Sequence, residues 1–397
     1  MNSYFATCAR GLEPILAREL VALGAGAVAP GRGGVAFQGD AALLYRANLW
    51  LRTAVRVLRP ILDAPVRSPD DLYEAVRTVD WSAFLTPDHT LAVDCNVRDS
   101  AITHSQYAAR RVKDAICDQF RDKTGKRPSV DVEQPMLGLN LHIHKNRATL
   151  SLDSSWGSLH KRGYRPIQTI APLNEALAAG LLLQVGWDSS TPLVDPLCGS
   201  GTFCIEAAWM ALKRPPGLTR KWFGFQGWLE FDRPLWNAIR DDARRGMLKE
   251  LPAPIRGSDV HRDAIELAKQ NARAAGIGHL VQFERFELGE ARPASGGRQS
   301  PDAPPARFDF HLGADAPRSP GTIICNPPYG ERLGDEKELV GLYRKLGDVA
   351  HVHFPGWRLL VFTSNDWLAR KVGLKVQSSM PFFNGKLPCR LWEYENG

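Results

Sequence analysis

The sequence predicts an α/β protein whose C-terminal half contains a mostly parallel sheet. Two observations carry this prediction. From Asn174 onward, short apolar runs alternate with amphipathic stretches, an order typical of strands and helices in a parallel sheet. Near the end of the chain, Asn384-Gly385 lies between two strand-like runs, and this dipeptide favours the tight turn of an antiparallel hairpin. We therefore expect a parallel sheet that finishes in an antiparallel hairpin.

The elements of this half are identified by apolar periodicity and by their end signals. Residues 289–306, rich in Gly, Pro, Ser and Arg, cannot bury a core and are expected to form an insertion. The predicted elements are helices over 175–185, 202–212 and 263–275 and strands over 192–195, 255–259, 281–286, 322–325 and 358–363.

The N-terminal half mixes strands and helices without that regular alternation. A helical spacing of leucines closes at Gly24, and residues 31–34 are typical of a turn. A second unit follows over 70–153. The predicted elements are helices over 11–23 and 108–120, strands over 35–37 and 91–97, and a hairpin over 141–152 that turns at Lys145-Asn146.

The composition is that of a globular protein with a basic excess. The chain has 397 residues, of which 44% are hydrophobic and 23% charged, and at roughly 150 residues per domain it holds two or three domains. No apolar run reaches the ~18 residues that span a bilayer. Residues 1–10 lack the pattern of a secretion signal, so a cytoplasmic protein is expected. The net charge of +7 and pI of about 9.1 favour polyanionic partners.

The cysteines indicate neither a metal site nor a disulfide framework. There are seven, an odd and scattered set without a CxxC pair. We expect reduced thiols, most of them buried.

A basic segment separates the two halves of the chain. Residues 158–165 read Ser-Leu-His-Lys-Arg-Gly-Tyr-Arg, and cations beside an aromatic ring can hold phosphates and stack a base. The alternative is a solvated linker between domains, and composition alone does not decide between the two. The candidate nucleic-acid-binding residues are Lys161, Arg162, Tyr164 and Arg165.

The segment Asp195–Thr202 is the first of two motifs that indicate chemistry. It leaves a predicted strand, turns on two glycines and enters a helix, so a ligand can approach the backbone and the free N–H groups of the helix start. A dinucleotide fingerprint requires a small residue where Cys204 stands, and the P-loop pattern occurs nowhere. What remains is a carboxylate at the strand end, Asp195, able to accept from an ammonium group or an ordered water.

Two further acids follow later strands. Asp259 ends the next strand, with Val260 after it, and a carboxylate there can accept both hydroxyls of a ribose. Taken alone, Asp259 is more typical of a helix N-cap, but its position after the Asp195 turn favours a functional role. Glu287 is a third candidate, placed either to contact an adenine edge or to lie on the surface.

The motif Asn326–Tyr329, Asn-Pro-Pro-Tyr, directly follows the predicted strand 322–325. Two prolines fix φ and remove two N–H donors, so the Asn oxygen and an adjacent carbonyl can accept both hydrogens of an exocyclic amine. Tyr329 can stack on the heterocycle that carries this amine. Holding both hydrogens keeps the nitrogen closer to tetrahedral and aims its lone pair at an electrophile.

These two motifs resemble those of class I S-adenosylmethionine-dependent methyltransferases that modify exocyclic amines. With 158–165, 326–334 and 383–394, the chain resembles the THUMP-domain RNA guanine-N2 methyltransferases that act on 23S ribosomal RNA. The resemblance covers nearly the whole chain and implies a Rossmann-like, mostly parallel seven-stranded sheet. It also implies a ferredoxin-like region over 1–60, a THUMP RNA-binding domain over 61–155, a basic linker over 156–173 and the methyltransferase domain over 174–397.

The implied reaction is direct transfer of a methyl group to guanine N2, which needs positioning but no metal and no covalent nucleophile. Cys325 is therefore expected to be a buried strand residue, and the target guanine must be unpaired or flipped out. The implied catalytic residues are Asn326, Pro327, Pro328 and Tyr329. The implied cofactor-binding residues are Asp195, Pro196, Cys198, Gly199, Gly201, Thr202, Asp259, Val260, Glu287 and Asn326.

The chain departs from this family pattern at two places. Glu287 stands where the family usually has Asp, and the chain stops shortly after Tyr394, so a second methyltransferase domain and its 7-methylguanosine activity are expected to be absent. A monomer is expected. Three alternatives stay open: the same chemistry on transfer RNA, a non-catalytic RNA-binding factor that keeps the fold, and a DNA adenine-N6 enzyme.

Overall fold

The computed structural model describes residues 1–165, 173–288, 320–329 and 336–396. The predicted insertion over 289–306, residues 166–172 of the basic linker and residues 330–334 of the segment 326–334 lie outside the described residues. The chain divides into two compact units. Unit 1 comprises residues 1–9, 13–161 and 216–245, and unit 2 comprises residues 10–12, 162–215 and 246–397.

Unit 1 is built on an eight-stranded sheet with the order β2-β3-β1-β4-β8-β7-β5-β6, in which only the pairs β5–β7 and β5–β6 are parallel. The predicted hairpin over 141–152 is confirmed, with positive φ at both turn residues, Lys145 (49°) and Asn146 (60°). The strands are β1 (Asn2–Cys8), β2 (Gly26–Gly31), β3 (Gly34–Gly39), β4 (Ala54–Pro65), β5 (Thr90–Arg98), β6 (Ser129–Val130), β7 (Leu137–His144) and β8 (Arg147–Asp153). The helices are α1 (Glu13–Ala22), α2 (Ala41–Trp50), α3 (Pro69–Arg77), α4 (Ser105–Thr124) and α7 (Arg233–Arg245).

Residues 216–245, which lie in sequence between two stretches of unit 2, pack into unit 1 through an aromatic cluster. Tyr45 stacks on Phe225 with ring centroids 4.5 Å apart, and Trp236 meets Phe225 edge-on at 5.1 Å. Buried aromatic pairs of this kind contribute about 0.5–1.5 kcal/mol beyond the area they bury. Residues 216–245 therefore pack with the N-terminal elements, although they lie inside the predicted methyltransferase stretch 174–397.

Unit 2 contains the predicted parallel sheet. Its order is β11-β10-β9-β12-β13-β15-β14; the first five strands are parallel, and β15 and β14 form an antiparallel hairpin at one end. The strands are β9 (Leu193–Asp195), β10 (Ile255–Asp259), β11 (Gln282–Arg285), β12 (Thr322–Cys325), β13 (Arg358–Thr363), β14 (Lys375–Asn384) and β15 (Leu387–Glu395). The helices are α5 (Glu175–Gln184), α6 (Thr202–Ala211), α8 (Arg262–Ala274), α9 (Glu336–His353) and α10 (Asp366–Ala369).

The strand order of unit 2 reverses between β9 and β12. The chain runs outward from β9 to β10 and β11, then returns to the other side of β9 for β12 and β13. In open α/β sheets, ligands bind outside the carboxyl ends of the strands at such a reversal. Asp195 ends β9, Asp259 ends β10 and Asn326 follows β12, so the polar residues predicted from sequence share this edge.

Within the described ranges, no helix has the length and apolar character needed to cross a bilayer.

Candidate active site

The turn after β9 is held by main-chain hydrogen bonds, one within the turn and one to β10. Gly199 and Gly201 have φ of 51° and 80°, a region in which glycine carries no steric penalty. The amide of Cys198 donates to the carbonyl of Ser258 at 2.8 Å, and the amide of Gly201 donates to the carbonyl of Cys198 at 2.8 Å. The turn is therefore formed before any ligand arrives.

Asp259 fastens this turn to the end of β10. Its Oδ2 accepts from the amide of Gly199 at 3.0 Å, and its Oδ1 accepts from the amide of His261 at 2.9 Å. His261, not Asp259, is the N-cap position of α8, so the N-cap interpretation of Asp259 does not hold. Each carboxylate oxygen can accept a second hydrogen bond, which leaves capacity for ribose hydroxyls.

Asp195 is buried, with 2% of its surface exposed. Its Oδ1 accepts from the amide of Leu197 at 3.2 Å. Burial, and secondly the nearby charge of Asp259, raise the pKa of Asp195 well above its ordinary value. A carboxyl group in this position is stabilised in its charged form by a cationic ligand group placed next to it.

Space at the turn differs between its two glycines. A Cβ at Gly199 would meet nothing within 4 Å, whereas a Cβ at Gly201 would lie 3.0 Å from the ring of Phe283. Gly201 is thus needed for packing, and Gly199 leaves its face open to a ligand. Val260 is 39% exposed at the same edge, which suits contact with a flat heterocycle.

Glu287 lies on the surface; the other position predicted for it is one in contact with an adenine edge. Its side chain is 55% exposed and its Oε1 lies 3.5 Å from Nζ of Lys345. The strand before it is shorter than predicted and ends at Arg285. The assignment of Glu287 to the cofactor stays a prediction.

The Asn326–Tyr329 segment presents an unsatisfied acceptor. Oδ1 of Asn326 is buried and has no hydrogen-bond partner within the described part of the chain. A buried oxygen without a donor costs about 1–3 kcal/mol, and this one lies just beyond the carboxyl end of β12, where ligands bind in such sheets, so it is available to a donor on a ligand. Pro328 is fixed by Tyr343 of α9, whose hydroxyl lies 3.5 Å from the Pro328 carbonyl and 2.9 Å from Oγ1 of Thr363.

Tyr329 is oriented by the hairpin of β14 and β15. Nδ2 of Asn384, the last residue of β14, donates to the Tyr329 hydroxyl at 3.2 Å. Burial raises the pKa of Tyr329 to about 12, so the hydroxyl stays neutral at physiological pH. The sequence predicts Asn384 as a turn residue but not this contact, and it does not predict a role for Tyr343. Neither is visible without the strand order.

The structure corrects the prediction for Arg162 and Tyr164. Both are 1% exposed, and both meet the buried Glu206 of α6: Nε of Arg162 lies 3.5 Å from its Oε1, and the Tyr164 hydroxyl donates to the same oxygen at 3.2 Å. Buried charges in proteins require such partners. Side chains enclosed in this way cannot bind RNA phosphates, so their assignment as RNA-binding residues is wrong.

Arg165 also points inward. Its Nη2 donates to the carbonyl of Leu173 at 2.8 Å and to the hydroxyl of Thr202, and its Nη1 lies 3.4 Å from Glu175. With 10% of its side chain exposed, Arg165 braces the first residue of α6 and so the end of the glycine turn. Of the four basic-segment candidates, Lys161 alone is exposed, and its RNA contact stays a prediction.

Cys325 is fully buried at the end of β12, as expected. Burial raises the pKa of its thiol well above the ordinary value, which opposes the thiolate that a covalent mechanism requires. No cluster of three or more His, Cys, Asp or Glu side chains with metal-binding geometry occurs among the residues placed by the structure.

Three protein families match successive parts of the chain. Residues 162–295 and 309–393 match the RMKL-like methyltransferase domain, residues 66–153 the THUMP domain, and residues 3–58 the RlmL ferredoxin-like domain. The chain belongs to the RMKL-like methyltransferase family. The family assignment confirms the resemblance inferred from the sequence, including the ferredoxin-like and THUMP regions.

Curated relatives fall into two lengths. A Synechocystis protein provisionally named as an RNA methyltransferase is 43% identical over 392 residues, 99% of this chain and 96% of the relative. The large-subunit ribosomal RNA methyltransferases K/L of Syntrophotalea carbinolica and Marinomonas are 45% and 39% identical and match 99% and 98% of this chain. The chain spans about half the length of these K/L relatives, 53% and 52%.

Two solved structures of similar sequence have the same fold. A protein named SMU.472, provisionally described as a methyltransferase and crystallised with S-adenosylhomocysteine, matches with a TM-score of 0.86 at 28% identity; the match covers 100% of this chain and 98% of that one. A Listeria monocytogenes protein described as an N6-adenine-specific DNA methylase matches with a TM-score of 0.83 at 30% identity, covering 100% and 96%. The predicted class I methyltransferase fold is therefore confirmed.

Proposed function

We propose that this RMKL-like methyltransferase transfers the methyl group of S-adenosylmethionine to the exocyclic N2 of a guanine in 23S ribosomal RNA. The K/L relatives are named for the large-subunit RNA, and the THUMP match supports an RNA substrate. We place the reaction in the bacterial cytoplasm, where ribosomal RNA is made.

One observation carries the chemical part of this proposal. Oδ1 of Asn326 is a buried acceptor without a donor in the described chain, at the strand-order reversal where ligands bind. An exocyclic amine supplies the missing donor. A protein that only binds RNA has no need of such an acceptor, which argues against a non-catalytic role.

The residues at the end of β9 and β10 suit S-adenosylmethionine. Asp195 offers a buried carboxylate for an ammonium group, Asp259 offers acceptors for ribose hydroxyls, and the open face of Gly199 admits the ligand to the backbone. When bound, the cofactor supplies an activated methyl group, so that the N–C bond forms as the S–C bond breaks and the electron pair goes to sulfur.

The remaining chemistry belongs to this chain's own residues. Asn326 and the neighbouring main-chain carbonyl accept the two amine hydrogens and aim the nitrogen lone pair, while Tyr329 stacks on the base. Tyr329, kept neutral by a pKa of about 12, cannot take the proton that N2 loses, and that proton passes to water. Holding reactants in line can supply about 7–11 kcal/mol of the barrier reduction.

The test uses the purified protein with labelled S-adenosylmethionine and separate pools of unmodified 23S rRNA, tRNA and duplex DNA. Products are digested to nucleosides and identified by mass spectrometry. N2-methylguanosine in 23S rRNA alone is the expected result. The same nucleoside in tRNA alone would replace the substrate, and N6-methyladenine in DNA would overturn the proposal in favour of the function for which the Listeria neighbour is named.

A further inference from the structure

The clamp formed by Asn326 cannot by itself distinguish guanine from adenine. Both bases carry an exocyclic amine with two hydrogens, and the same acceptors bind either one. The atom next to the amine on the Watson–Crick edge does differ between them: N1 of guanine carries a hydrogen, whereas N1 of adenine is an acceptor. A protein acceptor that faces this atom selects guanine.

We propose that Asn384, at the tip of the β14–β15 hairpin, is that acceptor and reads the N1–H of the target guanine. This inference rests on the function proposed above. Asn384 donates through Nδ2 to the hydroxyl of Tyr329 at 3.2 Å. This bond uses the Nδ2 half of the amide and leaves Oδ1 for the base. The Asn384 side chain lies beside Tyr329, the residue proposed to stack on that base.

Sheet topology brings the hairpin tip to the edge that carries Asn326. Strand β12 is parallel to β13, and β15 is antiparallel to β13 with Arg390 opposite Thr363. The first residues of β15, and with them the turn after Asn384, therefore lie at the carboxyl end of β12. Tyr329 stands three residues after Asn326 on a chain fixed by two prolines, so its contact with Asn384 joins the hairpin to the amine clamp.

The hairpin tip is braced from a second direction. The guanidinium carbon of Arg10 lies 4.4 Å from the ring centre of Phe383, and a Cβ at Gly11 would touch the main chain of Phe382 at 3.4 Å. A recognition group must be held in place by its surroundings to discriminate between bases. Asn384 meets this requirement through Tyr329 on one side and its braced neighbour Phe383 on the other.

The contact with Tyr329 determines which half of the Asn384 amide is left for the base. Because Nδ2 donates to the Tyr329 hydroxyl at 3.2 Å, the amide oxygen is the half that remains. An amide turned the other way would present a donor, which suits adenine N1. In the orientation that the structure has, Asn384 therefore presents the acceptor that guanine N1–H requires.

The experiment compares two bases in one RNA. Once the methylated nucleotide is mapped, the same RNA fragment is made with guanine or 2-aminopurine at that position. 2-Aminopurine keeps the amine but lacks N1–H and O6. We expect the wild-type enzyme to prefer guanine in kcat/KM by about 10–100-fold, the usual value of one specific base contact. Asn384→Ala should reduce this preference at least about fivefold.

The ratio of the two preferences cancels the different intrinsic reactivity of the two amines. Tyr329→Phe, which keeps the ring but releases the amide, should move the preference in the same direction by less. Lys375→Ala is the matched control, because Lys375 lies at the opposite end of β14 and pairs only with Glu395 among the contacts described, at 2.7 Å. Its preference should equal that of the wild type.

An unchanged preference in Asn384→Ala, with S-adenosylmethionine affinity retained as proof of folding, would overturn the inference. So would equal use of guanine and 2-aminopurine by the wild type. A wild-type enzyme that forms no N2-methylguanosine in any RNA would instead refute the proposed function itself. The two failures are therefore distinguishable.

Discussion

The two sides of the candidate site differ in how their polar groups are satisfied. On the cofactor side, the carboxylates of Asp195 and Asp259 accept from main-chain amides of the turns around them. On the amine side, Oδ1 of Asn326 accepts from nothing in the described chain. The first side is organised by the fold alone, whereas the second has an acceptor left for a donor on a ligand.

This difference separates binding from chemistry. Interactions already formed in the free protein hold the cofactor cradle in shape and cost nothing when the ligand enters. An acceptor that stays unsatisfied until the amine arrives is a source of binding energy, and it accelerates the reaction to the extent that its bonds strengthen in the transition state. Substitutions on the two sides should therefore change different constants.

The largest effect is expected at Asn326. Asn326→Ala removes the acceptor without touching the turns after β9 and β10, so kcat should fall at least about 100-fold, as when one transition-state contact is removed. The Kd for S-adenosylmethionine should change less than about threefold. Single-turnover methyl transfer and calorimetric titration measure the two quantities. Retained methyl transfer would remove the distinction between the two sides.

A smaller effect on rate and a larger one on binding are expected at Asp195. Asp195→Asn keeps the shape but loses the charge, and the Kd for S-adenosylmethionine should rise about 10-fold or more, the equivalent of 1.4 kcal/mol. Without cofactor, the same variant should be more stable than the wild type. Burial raises the pKa of Asp195 in the folded state, so ionising this group destabilises the fold.

The pH dependence of this gain has a defined sign. Since the folded pKa lies above the unfolded value of about 3.9, the folded protein binds more protons, and stability falls as pH rises from that value through the folded pKa. The Tm advantage of Asp195→Asn should widen with rising pH over this window. The control is Asp188→Asn: that exposed carboxylate accepts from Ser190, which lowers its pKa, so its loss should bring no gain in Tm. An advantage that narrows with rising pH would contradict the assignment.

Sequence predicted the fold where local signals and topology agree. Apolar runs that end in Asp195, Asp259 and Asn326 mark the carboxyl ends of parallel strands, which must share one edge of the sheet. The hairpin at Asn384-Gly385 follows from turn chemistry alone. Contacts between distant segments carry no such signal, and the bond from Asn384 to Tyr329 joins residues 55 positions apart.

The basic segment shows why composition misleads. A cation pairs with water, with RNA or with a buried carboxylate, and the sequence of residues 158–165 does not distinguish among these. The deciding residue for Arg162 and Tyr164 is Glu206, some forty positions later on a helix that reads as almost wholly apolar. A lone Glu in an apolar helix is the one available clue that a buried cation must be found elsewhere in the chain.

The smallest effects should come from substitutions in the basic segment 158–165. They extend the comparison from cofactor binding and methyl transfer to RNA binding. Lys161→Ala removes an exposed cation, so RNA affinity should fall about 2–5-fold and the slope of log K against log salt should lessen by about 1.

Arg165→Ala should leave that salt slope unchanged, because Arg165 holds Thr202 and Glu175 inside unit 2. Its effect should be a lower Tm and weaker S-adenosylmethionine binding. Arg165→Lys should not restore either, since one ammonium cannot replace a guanidinium that binds several partners in fixed directions. Fluorescence anisotropy with labelled RNA over a salt series measures RNA affinity and the salt slope, thermal unfolding measures Tm, and calorimetric titration measures S-adenosylmethionine binding. A smaller salt slope in Arg165→Ala would show that Arg165 does contact RNA phosphates. An unchanged slope in Lys161→Ala would contradict the predicted phosphate contact of Lys161.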